Sequence, residues 1–256
     1  IRAISFTGSI PVGKQLMKLA ADGMKRTTME LGGHAPVLVF DDVDVEQVLD
    51  LSIGAKYRNA GQVCVSPTRF YVQEKIYEKF VQGFTARAKR LKVADGLAEG
   101  AQMGPLAHDR RAPALEALLA DAKKSGAKIL TGGSRISGKG YFFEPTVISD
   151  VPNSACIMNE EPFGPIAILN PFTRYEEVIQ QANRLPYGLA AYAFSKSSKT
   201  VNLLGEQIEA GMIGINSFQI SVPESPFGGV KESGHGSEEG IEGLDACLVT
   251  KFVSES

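Results

Sequence analysis

Residues 35–40 read APVLVF, six apolar residues without a polar break. A strand solvated on one face alternates apolar and polar side chains. An unbroken run of this length predicts instead a strand covered on both faces, as in a parallel sheet. The flanks agree. A strand at 25–31, KRTTMEL, stops at Gly32-Gly33, and Asp41 to Asp44 supply the acids that favour a helix N-terminus. Val45, Val48, Leu49 and Ile53 then recur at helical spacing.

Outward from this centre the same alternation continues. IRAISFTGS (1–9) reads as a strand entering a turn. IPVGKQLMKLAADGM (10–24) reads as a helix with Val12, Leu16, Leu19 and Ala20 on one face and Pro11 in its first turn. RFYVQ (69–73) predicts a strand and residues 74–92 an amphipathic helix. A Gly-rich connection (94–106) leads to a helix near 108–125 and the strand AKILTGG (127–133). FFEPTVISDV (142–151) and PIAILNPF (165–172) are strands on either side of NEEPFG (159–164). A helix near 174–184, the strand LAAYAFS (189–195), a helix near 198–209 and the strand GMIGINS (211–217) follow. CLVTKFV (247–253) alternates and reads as an edge or exchanged strand. Strands alternating with helices give an α/β fold with a largely parallel sheet.

Bulk properties narrow the function. A chain of 256 residues makes one large or two small domains, and a net charge of −2 points to no polyanion and no membrane surface as partner. No apolar run approaches the ~20 residues of a spanning helix, and no signal peptide opens the chain. Cys64, Cys156 and Cys247 are widely spaced and the three histidines are scattered, so no metal site is expected. Reduced thiols fit a cytoplasmic protein. The chain opens at Ile1 on a strand-like run, which suggests a portion of a longer protein.

Five places carry chemistry, each with a plainer alternative. In FTGSIPVG (6–13) a strand, a Gly-Ser turn and a helix start form an anion site; Gly8 allows close approach, and Ser9 either caps the helix or bonds an oxygen. Glu30, in MELGGHAP (29–36), is a general base beside two flexible glycines or an exposed strand-end acid. Cys64, in AKYRNAGQVCVSPTRF (55–70), follows a helix in a turn of small residues. It is a nucleophile whose own N–H would hold an oxyanion, activated if a helix end or cation lies near, or a buried inert thiol. NEEPFGP places Glu160, Glu161 and Phe163 on a loop at strand ends, a ligand site or a surface turn. ESPFGGVKESGHG (224–236) carries Phe227 and Lys231, and the aromatic is a pocket wall or a core anchor.

FTGS, MELGGHAP, NAGQVC, EEPFGP and PFGGVKESG, in this order and over essentially the whole chain, resemble the NAD(P)-dependent aldehyde dehydrogenase superfamily. The resemblance implies the C-terminal portion of a longer enzyme, with three parts. Residues 1–33 would be the tail of a Rossmann-like dinucleotide-binding domain and 34–226 a three-layer catalytic domain. Residues 227–256 would be a return segment ending in an oligomerisation strand of a homodimer or homotetramer. It assigns Cys64 as nucleophile and Glu30 as general base. It gives Glu161 and Phe163 to the nicotinamide ribose and ring, Gly8 and Ser9 to the pyrophosphate side, and Phe227 to the aldehyde tunnel. Cys64 would add to the aldehyde, hydride would pass to NAD or NADP, and Glu30 would activate the water that hydrolyses the thioester.

Arg58 and Ser221 match residues that bind the far carboxylate in the succinate-semialdehyde branch, although Arg58 also reads as a simple helix end. A 2-oxoglutarate semialdehyde is the neighbouring alternative. Ser66 stands where some of that branch carry a second cysteine used as a redox switch, so that switch is expected to be absent. The remaining oxyanion donor, the contacts that separate NAD from NADP and a second carboxylate-binding arginine would lie upstream, and the chain alone is expected not to transfer hydride. Two other classes stay open: a thiol esterase or acyl hydrolase using Cys64 and Glu30, and a non-catalytic assembly module.

Overall fold

A computed structural model describes residues 1–256. It opens with β1 (Ala3–Thr7), α1 (Ile10–Ala21), β2 (Arg26–Glu30), β3 (Ala35–Val39) and α2 (Val45–Tyr57). After the Cys64 turn come β4 (Pro67–Gln73), α3 (Glu74–Lys89), α4 (Arg111–Lys124), β5 (Lys128–Thr131), β6 (Thr146–Ser149) and β7 (Ile166–Phe172). The chain continues with α5 (Tyr175–Asn183), β8 (Tyr187–Gly188), β9 (Ala190–Phe194), α6 (Ser198–Gln207) and β10 (Met212–Ile215). It finishes with β11 (Val230–Lys231), β12 (Gly234–His235) and α7 (Gly240–Asp245).

The centre is a seven-stranded sheet in the order β10-β9-β3-β4-β7-β6-β5. Every pairing is parallel except β5 with β6. The APVLVF run forms β3 between two parallel neighbours, and all five of its residues are buried. Removing Val37, Leu38 and Val39 from water is worth about 1.5–3 kcal/mol each. Both faces are covered: α2 and α3 pack on each other and onto β4, and α5 packs against β3 and β7. The helix starts where the acids predict it, because Asp44 accepts from the Glu46 and Gln47 amides at 3.0 and 3.3 Å.

A second, three-stranded sheet runs β1-β2-β12. β1 and β2 are parallel, and β12 returns antiparallel against the end of β2, with Gly234 opposite Glu30. Sequence patterning did not reveal β8, β11, β12 or α7. The three strands are two residues long, too short for any periodicity to register. CLVTKFV forms no strand within the chain. A strand needs an edge to pair with, and Val249, Phe252 and Val253 are instead 82, 89 and 74% exposed.

Candidate active site

Between α2 and β4 the chain turns in a way only some residues permit. Asn59 and Ala60 both take left-handed backbone angles (φ 51° and 52°), and Gly61 follows at φ 69°. A Cβ on Gly61 would also lie 2.2 Å from the Gly164 carbonyl oxygen, so glycine is required twice over. Asn59 and Gln62 tie the turn together: Asn59 Nδ2 donates to the Gln62 carbonyl at 2.9 Å, and the Gln62 amide to the Asn59 carbonyl at 3.1 Å. The next turn presents Cys64, closed by the Ser66 amide donating to the Val63 carbonyl at 2.9 Å. The Cys64 N–H donates to no backbone carbonyl, which leaves it available as an oxyanion donor.

Two further residues hold that turn, and sequence reasoning missed both. Tyr192 Oη donates to the Val65 carbonyl at 2.7 Å. Lys56, 1% exposed, donates to Ser66 Oγ at 3.1 Å. Burial lowers the Lys56 pKa to about 7, against the opposing charge of Glu161. The signal for Lys56 was present: Val45, Val48, Leu49, Ser52 and Lys56 share one buried stripe of α2.

Cys64, Arg58, Ser221 and Phe227 line one cavity of about 710 Å³, together with Tyr192 and Phe218. Arg58 forms no ion pair there, whereas Lys231, singled out beside Phe227, is used structurally. It donates to the Asn183 and Leu185 carbonyls and pairs with Glu209. No cation is among the groups that shift the Cys64 thiol. Burial first, then the charges of Glu161 and Glu30, push the thiol up, opposed by the Val65 and Cys64 amides.

Glu30 is not an exposed strand-end acid. It is 2% exposed, at the end of β2, and neither carboxylate oxygen has a hydrogen-bond partner. Burial first, and the charge of Glu238 second, raise its pKa to about 8. The Gly32-Gly33 pair beside it makes room. A Cβ on Gly32 would lie 2.4 Å from Glu161 Oε2, and one on Gly33 3.2 Å from the Cys64 carbonyl oxygen. The return segment seals this corner. Ser233, fully buried, donates through Oγ to the Gly32 carbonyl at 2.8 Å and accepts from the Gly188 amide at 3.0 Å.

Glu161 lines a second cavity, about 430 Å³, with Ser9, Ile10, Pro11, Lys14, Tyr187 and Glu232. Its Oε1 accepts from the Gly33 amide at 3.2 Å. Its pKa is raised to about 7 by burial, against the pull of that amide, Arg111 and Lys56. Ser9 is the N-cap residue of α1 but its hydroxyl makes no capping bond. The Gly8 amide donates to the Glu30 carbonyl at 3.0 Å, which ties this turn to the end of β2. A free hydroxyl, free helix-start amides and a carboxylate in one cavity suit the phosphate and ribose groups of a dinucleotide. Phe163 sits on the Glu161 loop with φ 40°, a strained angle of the kind held at functional sites, but lines neither cavity.

Comparison with known proteins gives the family. The model of the aldehyde dehydrogenase family matches residues 1–253. The chain is 47% identical over 99% of its length to a putative 4-(hydroxymethyl)benzenesulfonate dehydrogenase of Comamonas testosteroni, of which it covers 53%. It is 44% identical, again over 99%, to a probable NADP(+) succinate-semialdehyde dehydrogenase of Sinorhizobium fredii, of which it covers 52%. Betaine aldehyde dehydrogenase of Staphylococcus aureus, solved in complex with NAD+, superposes with a TM-score of 0.94 at 38% identity, over 98% of this chain and 50% of that one. The chain thus spans about half the length of the relatives it matches. It belongs to the aldehyde dehydrogenase family.

Proposed function

We propose that the chain carries the catalytic portion of an NAD(P)-dependent aldehyde dehydrogenase acting on a short aldehyde with an anionic far end, succinate semialdehyde or a close analogue. The observation that carries this reading is the shared cavity: Cys64, Arg58, Ser221 and Phe227 line it, and the unpartnered carboxylate of Glu30 lies close enough for its charge to act on Cys64.

In this reading the Cys64 thiolate adds to the aldehyde carbon, the C=O π bond breaks, and the Cys64 N–H takes the resulting oxyanion. Ser9, the first amides of α1 and Glu161 would hold the dinucleotide, which when bound accepts the hydride. Cys64 then carries a thioester. Glu30 takes a proton from water, the hydroxide attacks the thioester carbon, and the C–S bond breaks to release the carboxylic acid and the Cys64 thiolate. A base with a pKa raised to about 8 gains its active, ionised form as the pH climbs toward that value. Arg58 and Ser221 would orient the substrate's far end, with Phe227 as a tunnel wall, and Phe163 would stack near the nicotinamide.

The three-part division at 33 and 226 belongs to this reading, supported by the return of β12 onto β2. So does the exchange of residues 247–253 with a second copy of the chain, supported by the exposed Val249, Phe252 and Val253. No helix is long and apolar enough to cross a membrane.

The test is a substrate panel on the full-length protein with NAD and NADP: succinate semialdehyde, butanal as a neutral aldehyde of equal length, and 4-formylbenzenesulfonate. The last is included because a relative is named for a benzenesulfonate substrate and Arg58 suits either anion. Cys64→Ala should abolish reduction of the cofactor. Arg58→Ala should raise KM for the anionic aldehydes on the order of tenfold, the worth of one charge-assisted contact, with little change for butanal. An unaltered preference in Arg58→Ala would remove the carboxylate role; full activity in Cys64→Ala would remove the nucleophile.

A further inference from the structure

We infer that Glu239 is a specificity-determining residue of the Cys64 cavity, one that weakens its hold on an aldehyde whose far end is a carboxylate. The inference rests on the proposed aldehyde oxidation and concerns which aldehyde is preferred.

Ser221 lines the cavity, and its Oγ lies 3.2 Å from each oxygen of the Glu239 carboxylate. The hydroxyl has one hydrogen to give, and Glu239 takes it. Glu239 is exposed, and the backbone that carries it is held in place by its neighbours. Phe227 and Glu238 exchange both backbone hydrogen bonds at 2.7 Å, and the Gly240 amide donates to the Pro223 carbonyl at 3.0 Å. The Gly243 amide donates to Glu239's own carbonyl at 3.0 Å. Residues 238–240 are therefore laced to the 221–227 wall of the cavity. Glu239 itself holds φ 58° and ψ 175°, backbone that favours glycine and that only this lacing maintains.

Neither Glu239 nor Arg58 takes part in an ion pair. The cavity thus meets a substrate with a guanidinium at Arg58 and a carboxylate standing behind Ser221. An anionic far end gains at Arg58. On reaching Ser221 it finds the hydroxyl hydrogen already engaged and a like charge beyond it. A neutral far end meets no such conflict, and a far end that donates a hydrogen bond finds two acceptors.

Two variants of the full-length protein test this. Glu239→Gln removes the charge and keeps an acceptor for Ser221. Glu239→Gly removes the side chain at a position whose backbone already suits glycine, so folding is relieved there. The quantity read is the ratio of kcat/KM for succinate semialdehyde to that for butanal. Both variants should raise it on the order of fivefold at low salt, through KM of the charged substrate, with the gain fading near 0.5 M salt as screening takes over. A ratio within twofold of wild type in both variants, or equal gains for both substrates, overturns the inference and leaves aldehyde oxidation standing. Absence of turnover with any aldehyde in wild type sinks that reading and this inference together.

Discussion

In the seven-stranded sheet β3 is buried at every residue, whereas in the three-stranded sheet β1 alternates exposed and half-buried positions. The candidate site lies where the two meet: Cys64 is delivered by the turn leading into β4, and Glu30 by the end of β2. The first support is over-determined. Tyr192 and Lys56 grip the Cys64 turn, and Arg69 of β4 grips the segment behind it. Arg69 donates to the carbonyls of His34, Gln181 and Ala182 at 2.9, 3.0 and 3.2 Å. The second support is thin, and its carboxylate is buried without a partner. A nucleophile needs a fixed position to hold its angle of attack. A base that must accept a proton needs poor solvation, which keeps its basicity high. The two sheets divide those requirements.

That contrast can be broken from either side. The largest effect is expected on the wide sheet. Arg69→Met strands three carbonyls, two of them buried and that of Gln181 half-buried, and at about 3–5 kcal/mol it should lower the urea midpoint sharply. A loss below 1 kcal/mol would mean the grip is redundant. On the narrow sheet a substitution at the site should stabilise. With the Glu30 pKa raised to about 8 from an ordinary 4.5, the folded chain holds a proton that the unfolded chain has released between those values. Stability therefore falls as pH rises through that window and is restored below 4.5. Glu30→Gln should remove this dependence and gain about 1–3 kcal/mol at pH 9, with no gain at pH 4. Equal gains at both pH values would show a packing effect instead. The smallest effect lies in the loop between α1 and β2, where Met24 is 91% exposed at φ 48°. Met24→Gly should add about 0.5–1 kcal/mol by relieving left-handed backbone. A loss there would show that the Met24 side chain packs in a way its exposure conceals.

Much of this was legible in the sequence because it depends on local pattern. The unbroken apolar run at 35–40, the acids at 41–44 and the helical spacing of α2 define the β–α–β centre, since burial on both faces and helix capping each leave a signature within a few residues. The motif order likewise indicated Cys64, Glu30 and Glu161. What stayed hidden depends on pairs distant in the chain. Ser233 reaches Gly32 across 201 positions and Tyr192 reaches Val65 across 127, and no periodicity reports such contacts. Residue type and position alone left Glu30 divided between base and surface acid and Cys64 between nucleophile and inert thiol, and only the motif order chose between them. Tertiary structure decided their burial, their charged neighbours and the proximity of Glu239 to Ser221. Solvation and Coulomb interaction act through space, and the chain brings those distant residues together only when it folds.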